Sequence, residues 1–157
     1  MSVLESQAGF SSVTVMVQKE VADRLCSSPG SADYGAVTAA VSYYGKASKI
    51  LGVGAGNFIP APKVDSAVVR IELFDEKPVC PIDEKIFFRT VKAAFGQRRK
   101  TLLNALKSGF PELSGEETAK VLTDSGIVPS VRGETLGVAD FAKIADGIYG
   151  IITENGG

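Results

Sequence analysis

The 157-residue chain contains no histidine and no tryptophan. The missing imidazole excludes Ser-His and Cys-His nucleophilic machinery and removes the commonest metal ligand. Any chemistry must therefore run on carboxylates, amides, aromatic rings or a bound cofactor. Cysteine is scarce as well: Cys26 and Cys80 stand alone, with no Cys-x-x-Cys spacing. That argues against a zinc site or a disulfide framework and fits a reducing cytosol. No apolar run approaches the roughly 18 residues needed to span a membrane. The segment Met1–Phe10 carries Glu5 and no basic residue, so it does not read as a secretory signal. A cytoplasmic protein with no resident metal is the expectation.

What is present is ordinary in bulk and uneven in distribution. Apolar residues make up 45% and charged residues 22% of the chain, the composition of a soluble globular protein long enough for one domain or two small ones. The formal net charge is −1. Between Lys85 and Lys107, however, seven basic residues (Lys85, Arg89, Lys92, Arg98, Arg99, Lys100, Lys107) occur with no acidic one. A mildly acidic chain with one concentrated basic segment suggests a polyanionic partner at that face.

The hydrophobic pattern changes midway. The run Ser2–Gly9 reads as the end of a helix. The β-branched run Val13–Val17 reads as a buried strand of the parallel kind, followed by a short helix through Leu25. Pro29 and Gly30 break the chain, and Tyr34–Tyr44 has helical spacing. Ala47–Val53 is a second strand. Asp65–Leu73 is a third, with Ala67, Val69, Ile71 and Leu73 alternating against polar or exposed positions. After the polar, proline-marked stretch Asp75–Pro81, Asp83 is placed to cap a helix. A second helix is expected over Arg98–Lys107, a third from Ser114 to Thr123 ending at Gly126, and a last over Val138–Ile152. Three strands with so few covering helices leave sheet edges unpaired, so either the chain is part of a larger protein or the missing strands come from a partner.

Three segments invite a chemical reading. Gly52-Val53-Gly54-Ala55-Gly56 has the glycine content of a nucleotide loop, but such a loop must open a helix. Here it leads into Asn57-Phe58-Ile59-Pro60-Ala61-Pro62, which cannot. In that second segment the prolines fix their own φ and bias Ile59 and Ala61 toward extended backbone. The result is a stiff loop with Phe58 at its mouth. The ring suits stacking on a flat ligand such as a nucleobase; alternatively it fills the core, which spacing alone favours. The third segment, Gln97-Arg98-Arg99-Lys100-Thr101-Leu102-Leu103-Asn104, reads as a basic helix start with an apolar rear face. Without an acid at i+4 the basic residues forgo helix-stabilising pairs, and phosphate contact competes with a plain solvated face. Gln18-Lys19-Glu20 follows the first strand, where an open α/β sheet would place ligands, and reads more simply as the start of a solvent-facing helix.

Four stretches together resemble the bacterial ribosomal RNA adenine N6,N6-dimethyltransferases that modify small-subunit rRNA. They are Val15–Leu25, Asp33–Ala36, Phe58–Arg70 and Ala94–Leu106; Arg132-Gly133-Glu134-Thr135-Leu136 is a weaker fifth. The Phe-x-Pro-x-Pro-Lys-Val-Asp-Ser run and Gln-Arg-Arg-Lys-Thr carry most of the specificity. The resemblance implies an α/β chain: residues 1–78 as the C-terminal portion of a Rossmann-like methyltransferase sheet, 79–157 as a small all-helical rRNA-contacting domain. It implies S-adenosylmethionine as methyl donor, and small-subunit rRNA or the 30S particle as partner. It assigns Phe58 to stack on the target adenine, and makes Lys63, Arg98, Arg99, Lys100 and Arg132 the candidates for RNA contact. The family's glycine-rich donor loop, its acidic ribose partner and its Asn-Leu-Pro-Tyr motif are not in this sequence, so no cofactor-binding residue is expected here and the chain alone is expected to be inactive. Two alternatives share the same residues: a non-catalytic RNA- or ribosome-binding module, and the related antibiotic-resistance methyltransferases of large-subunit rRNA.

Overall fold

The computed structural model describes Gly9–Asn155. Two units make it up. One holds the described residues through Ser28 together with Ala32–Lys77, the other Pro29–Ser31 and the described residues from Pro78 onward. The helix end expected over Ser2–Gly9 lies outside the described residues except for Gly9, which is not helical.

The first unit runs β1 (Ser12–Gln18), α1 (Lys19–Leu25), α2 (Ala36–Tyr44), β2 (Gly45–Val53) and β3 (Ser66–Leu73). The sheet order is β1-β3-β2, and β3 is antiparallel to both neighbours. The expectation of a parallel pairing for Val13–Val17 is thus corrected. β1 and β2 point the same way, but each bonds to the oppositely directed β3. The burial pattern gives the reason. Val13, Val15 and Val17 turn to one face opposite Ile71, Val69 and Ala67, while Thr14 and Met16 are exposed. A strand covered on one face alternates in this way, whereas a strand of a parallel sheet is covered on both. β2 carries a bulge at Ile50, between the pairs Lys49↔Val69 and Leu51↔Val68.

Helices α1 and α2 cover one face of this sheet. Ala22 and Val41 enter a core with Ala67, Val69 and Ile71. Each valine or isoleucine side chain so buried contributes roughly 1.5–3 kcal/mol. The buried Thr38 hydroxyl donates to the Arg24 carbonyl (2.7 Å) and accepts from the Gly35 amide (3.3 Å), which ties the end of α1 to the start of α2.

The second unit is helical: α3 (Glu84–Gly96), α4 (Leu102–Gly109), α5 (Gly115–Asp124) and α6 (Val138–Asn155). Its helix starts are written locally. Asp83 accepts from the Ile86 amide (2.9 Å), as its position predicts. Ser114 and Glu117 form a reciprocal capping box, with Glu117 N–H on the Ser114 hydroxyl (3.2 Å) and Ser114 N–H on the Glu117 carboxylate (2.7 Å). Gly126 ends α5 with φ at 75°, which a side chain would oppose. Phe87, Leu102, Leu106, Phe110, Leu122 and Phe141 are fully buried and form the centre of the bundle. Among the described residues no helix is long and apolar enough to cross a membrane.

Candidate nucleic-acid interface

Phe58 sits on the connection between β2 and β3. The last register pair there is Val53↔Ser66, so the chain leaves the sheet at Gly54 and returns at Asp65. The glycine-rich stretch becomes one 3-10 turn, Ala55–Asn57, not an α-helix. Asn57 N–H and its side-chain amide both donate to the Gly54 carbonyl (3.0 Å each), and Phe58 N–H donates to the Ala55 carbonyl (3.3 Å). Phe58 is half-buried, neither a core residue nor fully exposed, while its neighbour Ile59 is 102% exposed. The ring is thus neither sealed in the core nor fully in solvent.

Lys63 lies on the same loop and lines a cleft of about 460 Å³ with Lys19, Glu20, Asp23, Asp33 and Asp65. Gln18 excepted, the polar residues that follow β1 therefore do border a cleft, but its carboxylates outnumber its lysines. Lys49, whose side chain donates to Asp23, is held above the ordinary lysine value by that bond. Beside it, burial pushes the Cys26 thiol up, with Lys49 opposing and Asp23 reinforcing the shift, so Cys26 is not an activated nucleophile.

In the helical unit, Arg98, Arg99 and Lys100 occupy a turn, residues 97–100, and not the start of a helix as the sequence suggests. The helix starts later because Thr101 caps it: its hydroxyl accepts from the Asn104 amide (3.5 Å). The first amides of α4 are taken as well. Leu102 N–H donates to the Val131 carbonyl (2.7 Å) and Leu103 N–H to that of Pro129 (3.3 Å). An anion at this helix start would thus be met by side chains, not by the helix amides that often serve. The docked segment brings Arg132 alongside. Arg98 and Arg132 reach opposite oxygens of Glu134, at 3.7 and 3.9 Å. Glu134 is a residue of this site that a reading confined to the basic stretch misses. Arg99 and Lys100 are exposed and pair with no carboxylate among the described residues. Arg89, counted with the basic segment, is occupied: it forks onto Glu112 (2.6 and 2.9 Å) and donates to the Gly109 carbonyl.

The first unit thus offers a half-buried aromatic on a braced loop, and the second two arginines that share the Glu134 carboxylate, with Arg99 and Lys100 exposed on the adjoining turn. The family described as "Ribosomal RNA adenine dimethylase" matches residues 1–148. The chain belongs to this family. The ribosomal RNA small subunit methyltransferase A of Anoxybacillus flavithermus is 42% identical over 98% of this chain and 53% of its own length. The chain thus spans about half the length of the curated relatives it matches. Among solved structures, a dimethyladenosine transferase from Plasmodium falciparum superposes with a TM-score of 0.72 at 22% identity, covering 91% of this chain and 58% of that one. The 23S rRNA methyltransferase ErmE gives a TM-score of 0.59 at 17% identity, over 93% of this chain and 57% of that one. At those identities the likeness concerns the fold, a Rossmann-like sheet followed by a helical bundle.

Membership raises the question of a methyl donor, S-adenosylmethionine, and the glycine-rich stretch Gly52–Gly56 does not fit one. A donor or nucleotide pocket in this kind of fold is built where a strand passes through glycines into a helix. The glycines that follow β2 pass instead into a 3-10 turn and a proline loop. Among the described residues no group of three or more His, Cys, Asp or Glu side chains could hold a metal ion.

Proposed function

We propose that this chain is the C-terminal portion of a small-subunit rRNA adenine N6,N6-dimethyltransferase, an S-adenosylmethionine-dependent cytoplasmic enzyme acting on two adjacent adenines near the 3′ end of the rRNA. Residues 1–78 are the remainder of its methyltransferase domain, and residues 79–157 its rRNA-contacting domain. The observation that carries this reading is Phe58, half-buried on the loop between β2 and β3 in a chain whose family match runs over residues 1–148. The identity to a protein named as a small-subunit rRNA methyltransferase supports the choice of subunit.

The chemistry asks for such a residue. The exocyclic amine of adenine is a poor nucleophile because its lone pair is delocalised into the ring, and inside a helix it is out of reach. The base must leave its stack. Phe58 gives the extruded ring one stacking face, a contact worth roughly 1–3 kcal/mol per base. That holds a flipped adenine but does not select it, since every base has a π-face. Selection falls to shape and phosphate contacts, for which Arg98, Arg99, Lys100 and Arg132 are the candidates, with Lys63 on the same loop as Phe58. The donor pocket and the groups that hold the target amine lie on residues outside this sequence, so the chain by itself is inactive.

Two measurements test the reading. Binding of a 3′-terminal small-subunit rRNA fragment carrying 2-aminopurine at the target position should weaken by roughly 1–3 kcal/mol in Phe58→Ala. Unchanged binding and fluorescence would count against the stacking role. Isothermal titration with S-adenosylmethionine should show no micromolar binding; its appearance would overturn the placement of the donor pocket elsewhere.

A further inference from the structure

Asp65 stands at the neck of the Phe58 loop. Its carbonyl accepts from the Lys19 amide (2.9 Å), one step past the last β1↔β3 register pair, Gln18↔Ser66. Its carboxylate accepts from the Ala55 amide (2.9 Å), just past the last β2↔β3 pair, Val53↔Ser66. One residue thus closes the sheet on both sides at the point where the loop departs, and on the β2 side a side chain does what a ladder carbonyl would otherwise do.

The bond to Ala55 has a consequence for Phe58. The carbonyl of Ala55 accepts from Phe58 N–H (3.3 Å). Asp65 holds the amide of Ala55, and Ala55 holds the amide of Phe58. Two hydrogen bonds in series therefore connect the first residue after the loop to the aromatic residue within it. The turn between them is braced internally by Asn57 on Gly54. The prolines stiffen the far limb of the loop, but Pro60 and Pro62 have no N–H and donate nothing back to the sheet.

We propose that Asp65 is a positioning residue: through Ala55 it fixes the 3-10 turn that aims Phe58, and so sets how well the ring meets an adenine. The inference rests on the stacking role proposed above for Phe58. A ring that must stack is sensitive to placement, and misplacement by about 1 Å can cost on the order of a hundredfold in a positioned reaction. In this role Asp65 acts through the turn, by its bond to the Ala55 amide.

The test uses the 157-residue chain, its Asp65→Ala and Asp65→Asn variants, and a single-stranded adenosine-containing RNA. Amide exchange and Phe58 ring resonances are followed by NMR. In Asp65→Ala the Ala55 and Phe58 amides should lose protection by about tenfold or more, as expected for a lost hydrogen bond to a charged acceptor. Amides in the strands should keep theirs. RNA-induced shifts of the Phe58 ring should collapse in Asp65→Ala and return in Asp65→Asn, whose amide oxygen still accepts. Unchanged exchange at Ala55 and Phe58 would overturn the inference. So would loss of protection across the whole sheet, which would make Asp65 a general structural residue, or failure of Asp65→Asn to restore the ring response. If the wild-type ring does not respond to RNA at all, the stacking role fails, and the exchange arm alone still decides whether Asp65 sets the turn.

Discussion

Replacing Glu134 by Gln should make RNA binding tighter, an outcome opposite to that of most substitutions at a binding surface. Arg98 and Arg132 share this carboxylate at 3.7 and 3.9 Å, with the arginine side chains 52% and 57% exposed. At such distances and exposures each pair is worth about 0–1 kcal/mol, so the fold should barely notice the change. The electrostatic footprint should notice it. Glu134 cancels one of the positive charges contributed by Arg98, Arg99, Lys100 and Arg132. Removing it lets one more phosphate be neutralised, which steepens the plot of log K against log salt by about 0.7 to 0.9. A slope change of that size means that the gain in affinity shrinks about threefold between 50 and 200 mM salt. Fluorescence anisotropy of a 3′-terminal small-subunit rRNA fragment over that range measures it. Adding Arg98→Ala to Glu134→Gln should remove the increment, and the double-mutant cycle should show coupling. A Glu134→Gln slope equal to or flatter than that of the wild type would refute the reasoning and return these arginines to an ordinary solvated surface.

Alanine in place of Arg89 should destabilise the helical unit by about 1–2 kcal/mol in denaturant melts, the value for charge-assisted hydrogen bonds discounted for solvent exposure. Lysine should not rescue it, because the fork onto Glu112 and the Gly109 carbonyl, made while the guanidinium lies 4.2 Å from the Phe110 ring centre, needs a planar donor set. The same fork holds the Glu112 carboxyl below the usual carboxylate range. Its folded value being the lower one, its contribution is complete above the unfolded value near ~4.3 and is lost as pH falls through the depressed folded value. Urea melts from about pH 6 down to about pH 3 should therefore show a shallower acid-side decline in Glu112→Gln than in the wild type; parallel curves would argue that the pair contributes nothing. Gly133→Ala should lower stability by about 1–3 kcal/mol, since the added carbon would lie 2.7 Å from the Ala94 carbonyl oxygen and 2.8 Å from its Cβ. It should weaken RNA binding too, by displacing Arg132 and Glu134, whereas Gly150→Ala, which meets nothing within 4 Å on α6, should do neither.

The features legible in the sequence were those fixed by near neighbours. Asp83 and Ser114 mark helix starts because a cap bonds an amide three residues on. Ser66–Leu73 reads as a strand because alternation is a property of consecutive residues. The direction of β1 was not legible, because a run of valines is equally at home beside a parallel or an antiparallel partner and only the register with β3 decides. The basic stretch misled for a related reason. Judged by its own acids it is uncompensated, yet Arg89 finds Glu112 and Arg98 finds Glu134, partners brought in by the folding of α3, α4 and the 132–134 turn. The start of α4 shifts past the cations because Val131 and Pro129 supply carbonyls to its first amides, from a segment far along the chain. Folding narrows the set of cations that could meet a polyanion. Arg89 is committed to holding α3 on the end of α4, and Arg98 and Arg132 are half-neutralised. Among the described residues Arg99 and Lys100 pair with no carboxylate, beside a helix start whose Leu102 and Leu103 amides are already taken, so a phosphate there would be met by side chains.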